Sequence, residues 1–404
     1  MNYREALAWL FGTQRFGIKL GLENVQRLLG ALEVPAPEQR IIHVAGTNGK
    51  GSVCAMLDAI LREAGYRSGL FTSPHLVTFR ERIQVNGELI SQDEVADGLT
   101  SIRDLVRDWD PHPTFFEIAT ALGLQHFKRL ACEFIVLETG MGGRLDATNA
   151  ATPVVSVITP IDYDHQKWLG YTLREIAGEK AGIIKPGVPV VSAPQAAEAD
   201  VVIRAAAERN RSPLTIASDP YAGPLSLPGT HQKQNAATAI AALRAAGVNV
   251  SESAIVGGLT SVRWPARFQQ WDDRIVIDGA HNPAGARVLA RTWRDAFRDE
   301  RAAVILAVLA DKDAPQMITE LAPIATRFVV SQPRSERAVP ATELAEIVRS
   351  IAADVDVTLA PSFEAALAIT SGEARVLITG SLHFAGEALA HLRGEPAAFE
   401  ECAQ

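Results

Sequence analysis

The residues best suited to chemistry lie in HVAGTNGKGS, residues 43–52. A glycine-rich turn of this kind lets backbone N–H groups approach phosphate oxygens closely, and the positive end of a following helix adds favourable potential. Lys50 can reach terminal phosphates, and Ser52 can offer a hydroxyl to phosphate or Mg²⁺. Gly46, Thr47, Asn48, Gly49, Lys50, Gly51 and Ser52 are therefore the candidate nucleotide-binding residues. The string departs from G-x-x-x-x-G-K-[ST], because Gly51 stands between Lys50 and Ser52. The plainer alternative is a tight Gly/Asn turn with an exposed lysine. Against it stands the context, a short β-branched run before the turn and a helical pattern after it.

Further segments place reactive side chains at apparent strand ends. ETGMGGRLDATN, residues 138–149, begins with Glu138, a good Mg²⁺ ligand where an open parallel sheet presents its ligand-binding edge. It also reads as a solvated strand end with a flexible turn. In residues 161–187, His165 follows a strand and Lys180 comes fifteen positions later in a helical stretch. An unmodified ammonium cannot ligate a metal, so taken alone Lys180 reads as a surface helix lysine. His165 taken alone reads as a structural, hydrogen-bonded histidine. HQKQNAATAIAAL opens a helix at whose start Asn235 can face a ligand, and DGAHNP puts Asp278 and His281 at another strand end. TGSLHFAGE, residues 379–387, carries Ser381 in a small-residue turn that could hold a carboxylate or simply join strand to helix.

These segments need a scaffold of alternating strands and helices. Residues 3–32 read as helical pieces broken between Gly12 and Gly21. IIHVA (41–45), FIVLE (134–138), VVSVI (154–158) and VPVVS (188–192) read as strands, with helical segments between them. SVRWPARFQQW (261–271) reads as a linker. Beyond it a second alternation begins with RIVID (274–278), AAVILAVL (302–309), RFVVS (327–331), VDVTLA (355–360) and RVLITG (375–380). The fold class expected is α/β: a P-loop, doubly wound, mostly parallel sheet domain over 1–265, followed by a smaller Rossmann-like α/β domain over 266–404.

The bulk properties bound the function. The chain has 404 residues, enough for two domains, with 47% hydrophobic and 21% charged residues. A net charge of −8 argues against nucleic-acid binding but not against an anionic substrate met by a local cationic cluster. Cys54, Cys132 and Cys402 are isolated, which suggests neither a disulfide framework nor a zinc site. No apolar run reaches membrane-spanning length and no signal-peptide pattern opens the chain, so a cytoplasmic location with no membrane partner is expected.

In order, AGTNGKGS, TSPHLVTFRERI (72–83), TFFEIAT (114–120), ETGMGGRLDATN, DH…GEKAGIIKPG, HQKQNA, WPAR, DGAHNP and TGSL resemble the Mur ligase superfamily. The resemblance runs from about residue 40 to about 385, and within that superfamily it is to the folylpolyglutamate and dihydrofolate synthases. It implies an ATP-dependent ligase that adds L-glutamate to dihydropteroate, to folate (poly)glutamates, or to both, as a monomer using two Mg²⁺ ions. It implies that Lys50 and Ser52 hold the ATP phosphates, Ser73 and Glu138 one Mg²⁺, and His165 and a carbamylated Lys180 the other. Carbamylation turns an ammonium into an anionic oxygen ligand. Asn235 would contact adenine and Arg267 the phosphates. Asp278 would face the nucleotide, and His281 and Ser381 would lie near the reaction centre and glutamate. Arg82 and Asp146 would lie on the folate side. Local departures are WPAR, where glycine is common before the arginine, TGSLHF with His383 for a frequent Tyr, and IDYDH for Gly-x-Asp-His.

Two other functions remain open at this point. A cell-wall Mur ligase would carry an extra domain ahead of the glycine loop, for which a start at Gly46 leaves no room. A non-ligating, ATP-dependent switch protein would have no need of the second domain and its DGAHNP.

Overall fold

The computed structural model describes residues 1–16 and 21–400; Cys402 and part of the Gly12–Gly21 break lie outside them. The strands are β1 (Arg40–Ala45), β2 (Ser68–Phe71), β3 (Ile83–Val85), β4 (Glu88–Leu89), β5 (Phe134–Glu138), β6 (Val155–Ile158), β7 (Val190–Ser192) and β8 (Leu214–Ile216). After the linker come β9 (Gln269–Gln270), β10 (Ile275–Ile277), β11 (Ala302–Leu306), β12 (Ala325–Ser331), β13 (Asp356–Ala360) and β14 (Val376–Thr379). They form two sheets, ordered β4-β3-β2-β5-β1-β6-β7-β8 and β13-β12-β11-β14-β10-β9. Both are parallel except at β2–β3, β3–β4 and β9–β10.

Alternation of side chains explains why both faces are covered. In β1, Ile41 joins one core while Ile42 and Val44 join the core on the opposite face. In β12, Phe328 and Val330 face one way and Val329 the other. A strand buried on both faces reads as a continuous apolar run, which is why the central strands stand out in the sequence.

The strands missing from the sequence reading are short, and they lie at or next to a sheet edge or are poor in β-branched residues. β2 reads SGLF, and its Gly69 lies against Phe127, where a Cβ would come within 2.6 Å of the ring. The β3–β4 hairpin turns at Asn86-Gly87, both at positive φ, a turn signal that stands plainly in the sequence. Helices Tyr3–Gly12 and Glu23–Leu32 bear out the helical pieces at the start of the chain, and Lys50–Glu63 the helix after the glycine loop. Among the described residues no helix is long and apolar enough to cross a membrane.

Positioning follows from topology. The chain leaves β1 toward β2 on one side and leaves β6 toward β7 on the other, so β1 and β6 flank a topological switch point. Ligands of open α/β sheets bind there, beyond the carboxyl ends of the strands. The loops after β1, β2, β5 and β6 gather at this edge, and the loops after β10 and β11 of the second sheet meet them across a cleft.

Candidate active site

Gly46 and Gly49 adopt φ +150 and +87, which favour glycine. A Cβ on Gly46 would strike Thr159 at 1.9 Å, and one on Gly49 would meet the Asn235 side chain at 2.7 Å. The loop is pinned to the one after β6: the Thr47 and Asn48 N–H groups donate to Pro160 O at 3.0 and 3.1 Å. Gly49 is the N-cap of helix Lys50–Glu63 and offers no side-chain cap. The first-turn N–H groups of that helix therefore point outward, as an anion site requires. Lys50 is half-buried at this turn, and Ser52 is buried, its hydroxyl accepting from Gln232 Nε2 at 3.3 Å. Asn235 donates to Gln232 Oε1, so helix Thr230–Ala245 presents Gln232 and Asn235 to the glycine loop. Trp264 of the linker lies against Gly51.

Glu138 ends β5 with 4% exposure, and its Oε2 accepts from Ser73 N–H at 3.1 Å. Burial raises its pKa, against the pull of Lys50, the Ser73 N–H, Arg267 and Arg82. The Ser73 hydroxyl is buried without a hydrogen-bond partner among the described residues. A carboxylate beside an unpaired buried hydroxyl fits a hard divalent cation completed by phosphate and water oxygens. Among the described residues no three His, Cys, Asp or Glu side chains gather into a metal cluster. A cation here thus depends on oxygen donors beyond that set.

Lys180 is not the surface lysine its helical context suggests. It is 4% exposed, because helix Leu173–Ala181 turns it inward, and its Nζ donates to Gly46 O at 2.8 Å. Burial, aided by the Lys50 charge, pushes its pKa down to about 7. His165, at φ +50, opens the short helix Gln166–Leu169 and is partly exposed. Its neighbour Asp164 is buried, a residue whose weight only the structure reveals.

From the second sheet, Asp278 follows β10 and accepts from Phe268 N at 2.7 Å and Ala280 N at 2.8 Å. Burial raises its pKa, and Arg267 opposes that shift. Arg267 sits between Ala266 and Phe268, both at positive φ, a bend where glycine at 266 would be relaxed. His281 Nδ1 lies 2.8 Å from Gly279 O, and its Nε2 is 3.6 Å from Asp164. Ser381 caps helix Leu382–Leu392 by accepting from Phe384 N at 3.0 Å. Arg82 is fully buried, donating to His75 Nδ1 at 2.9 Å over the Phe79 and Phe115 rings. Asp146 is buried, with Oδ2 accepting from Met141 N and Oδ1 from Thr148 N and hydroxyl. Lys50 and Arg267 thus both lie within electrostatic reach of Glu138, whereas Ser381 and Asp146 are engaged in local caps. Sequence reasoning missed Gln232, Trp264, Asn282 and Lys312. For Lys312 the available signal was a lysine at the carboxyl end of the strand AAVILAVL.

Residues 44–189 match the Mur ligase middle domain and residues 266–382 the Mur ligase glutamate ligase domain. The chain is 40% identical over 358 residues to the dihydrofolate synthase/folylpolyglutamate synthase of Bacillus subtilis, covering 80% of this chain and 83% of that one. Among solved structures it is similar to Escherichia coli FolC in complex with DHPP and ADP (TM-score 0.86, 31% identity, 96% and 98% of the two chains). It is also similar to the bifunctional folylpolyglutamate synthase/dihydrofolate synthase of Yersinia pestis complexed with AMPPNP and Mn ion (TM-score 0.88, 30% identity, 97% and 98%). Fold and site together define a two-domain, ATP-dependent ligase of the Mur type. Within that class the chain belongs to the folylpolyglutamate synthase/dihydrofolate synthase family.

Proposed function

We propose that this ligase adds L-glutamate both to dihydropteroate and to folates that already carry glutamate, through an acyl phosphate. The observation that carries the reading is the convergence, at one switch point, of a phosphate loop, a buried Glu138 with an orphaned Ser73 hydroxyl, and a buried Lys180 behind Gly46. Residues 1–265 form the nucleotide domain and 266–404 the glutamate-ligase domain, a division supported by two sheets that share no strand.

The acceptor carboxylate, that of dihydropteroate or of the terminal glutamate of a folate, attacks the γ-phosphate of ATP, and ADP leaves. Lys50, Arg267 and the first-turn N–H groups stabilise the charge that develops on the phosphoryl oxygens. Two Mg²⁺ ions would be held by Ser73 and Glu138 and by His165 and carbamylated Lys180, supplying further charge neutralisation. A free amine is what takes up CO₂, and the depressed pKa of Lys180 leaves a substantial neutral fraction near pH 7. The amino group of glutamate, brought near by the domain that carries His281 and Ser381, then attacks the acyl carbon, and phosphate departs. Asn235 would contact adenine, Asp278 would face the nucleotide, and Arg82 and Asp146 would shape the folate side. Closure of the cleft keeps water from the anhydride.

One observation favours a narrower reading, in which only folates already bearing glutamate are accepted. Both Asp146 oxygens already accept from the protein, as a turn cap would. A carboxylate has lone pairs to spare, so a pterin donor can still be shared. The two readings separate when labelled glutamate, ATP and Mg²⁺ are supplied with dihydropteroate or tetrahydrofolate in turn. Turnover with both, and a greater loss on dihydropteroate for Asp146→Ala, is expected. Turnover with tetrahydrofolate alone at saturation would sink bifunctionality.

A further inference from the structure

Asp164 lies on the loop after β6, one residue before His165, and is buried. Its own loop supplies one donor, the His165 N–H at 2.9 Å. The other partners come from across the cleft. Lys312, after β11, places Nζ 2.6 Å from Oδ1, with both side chains only 7% exposed. Asn282 Nδ2 donates to Oδ2 at 3.2 Å, and His281 Nε2 stands 3.6 Å away. Asn282 Nδ2 also lies 3.1 Å from Asn48 Oδ1 in the phosphate loop. Asn282 is itself held as the N-cap of helix Pro283–Phe297, its Oδ1 accepting from Gly285 N at 2.8 Å. Asp311, beside Lys312 on the same loop, adds a second carboxylate 3.6 Å from its Nζ.

A buried carboxylate is costly unless paired, and a buried pair is worth little net stability unless its geometry is good. With the domains apart, Asp164 and Lys312 can both be hydrated. With the domains together as observed, Lys312, Asn282 and Asp164 are all paired. The interaction is thus poorly suited to stabilising either domain and well suited to selecting one closed arrangement. That arrangement fixes the loop carrying His165 and the loop carrying Asn48 at the same time.

We propose that Lys312, with Asn282, is a positioning residue for ligation. It clamps the glutamate-ligase domain onto Asp164 so that the two loops and the incoming amine are aligned. The inference rests on the reading of residues 46–52 as the phosphate loop and of His165 as a metal-side residue.

The test uses the full chain with Lys312→Met and Lys312→Arg, comparing steady-state ligation with the binding of AMPPNP and Mg²⁺ by calorimetry and with thermal melting. Lys312→Met is expected to lower kcat at least tenfold and to raise KM for glutamate. Its AMPPNP affinity should stay within threefold of the parent, with melting within a few degrees. Lys312→Arg, which keeps the charge, should recover at least half of the lost kcat. A kcat for Lys312→Met within twofold of the parent overturns the proposal. So does a loss of nucleotide affinity in step with kcat, or an arginine variant as poor as the methionine one. Failure of the parent protein to bind AMPPNP would instead overturn the phosphate-loop reading, which keeps the two failures distinct.

Discussion

At the scale of single residues, the roles proposed for two lysines differ because their surroundings differ. Lys50 is half-buried at an open helix N-terminus, where its side chain is placed to meet the phosphate proposed there. Lys50→Ala removes that charge and little packing. It should leave the melting curve unchanged and lower the ligation kcat by about 10²–10³-fold, the scale of losing one preorganised charge-stabilising donor. An unaltered turnover number would end the phosphate role. Lys180 is enclosed and its pKa is pushed down to about 7. The neutral amine, the form that would take up CO₂, therefore grows as pH rises through 7. With limiting bicarbonate, activity should rise with pH across 7. Protein equilibrated with ¹³C-bicarbonate at pH 8 should show a carbamate carbon resonance that Lys180→Ala lacks, and small carboxylates should partly restore the variant. A parent spectrum without that resonance, in the presence of ATP and Mg²⁺, would count against the modification.

At the scale of elements, β1 carries more than the glycine loop. His43, within this strand, is fully buried, and its Nε2 lies 2.8 Å from the Thr148 hydroxyl. That hydroxyl donates to Asp146, so it must accept from His43, which assigns the proton of the neutral ring to Nε2. The chain His43–Thr148–Asp146 ties the segment after the ETGMGG turn to the central strand. Burial lowers the His43 pKa from 6.5 to about 3. Between those values the unfolded chain binds a proton that the folded chain does not, so stability is full above pH 6.5 and falls as pH drops toward 3. The slope from this one group is at most about 1.4 kcal/mol per pH unit. His43→Gln, which still donates to Thr148, should flatten the pH dependence of urea unfolding between pH 6 and 4. An unchanged slope would show that other buried histidines dominate it.

At the scale of the whole molecule, the two sheets are joined by more than a linker. Val77, on the loop that follows Ser73, packs in the core of the second sheet, and Glu400 N donates to Val77 O at 2.8 Å. The Glu400 carboxylate in turn accepts from the Tyr3 hydroxyl at 2.9 Å and from Phe79 N at 2.6 Å. The segment after helix Leu382–Leu392 therefore rests on the loop that carries Ser73. The helix itself meets the same loop at Gly386, where a Cβ would fall 1.9 Å from Leu76 O. A backbone atom cannot yield as a side-chain tip can. Gly386→Ala should therefore push the domains apart, lowering ligation at least tenfold while calorimetry still shows AMPPNP binding. Gly30→Ala, in helix Glu23–Leu32 with nothing within 4 Å, should leave activity intact and raise stability by up to about 1 kcal/mol. Full activity in Gly386→Ala would show that this contact does not set the working arrangement.

The sequence alone determined the central strands, the glycine loop and the order of the site segments. Strands such as IIHVA and FIVLE are buried on both faces and read as unbroken apolar runs, and a phosphate loop needs its glycines at fixed positions along the chain. It showed less at the periphery, where SGLF pairs through a close approach of Phe127 to Gly69 that no local pattern encodes. Tertiary structure decided the rest. The inward turn of Lys180, the orphaned hydroxyl of Ser73 and the engagement of Asp146 by Met141 and Thr148 depend on which elements pack together. The pairing of Lys312 with Asp164 joins residues 148 positions apart, on loops from different sheets. Periodicity and spacing report on neighbours along the chain, whereas a buried ion pair between loops of different sheets exists only once the two sheets face each other.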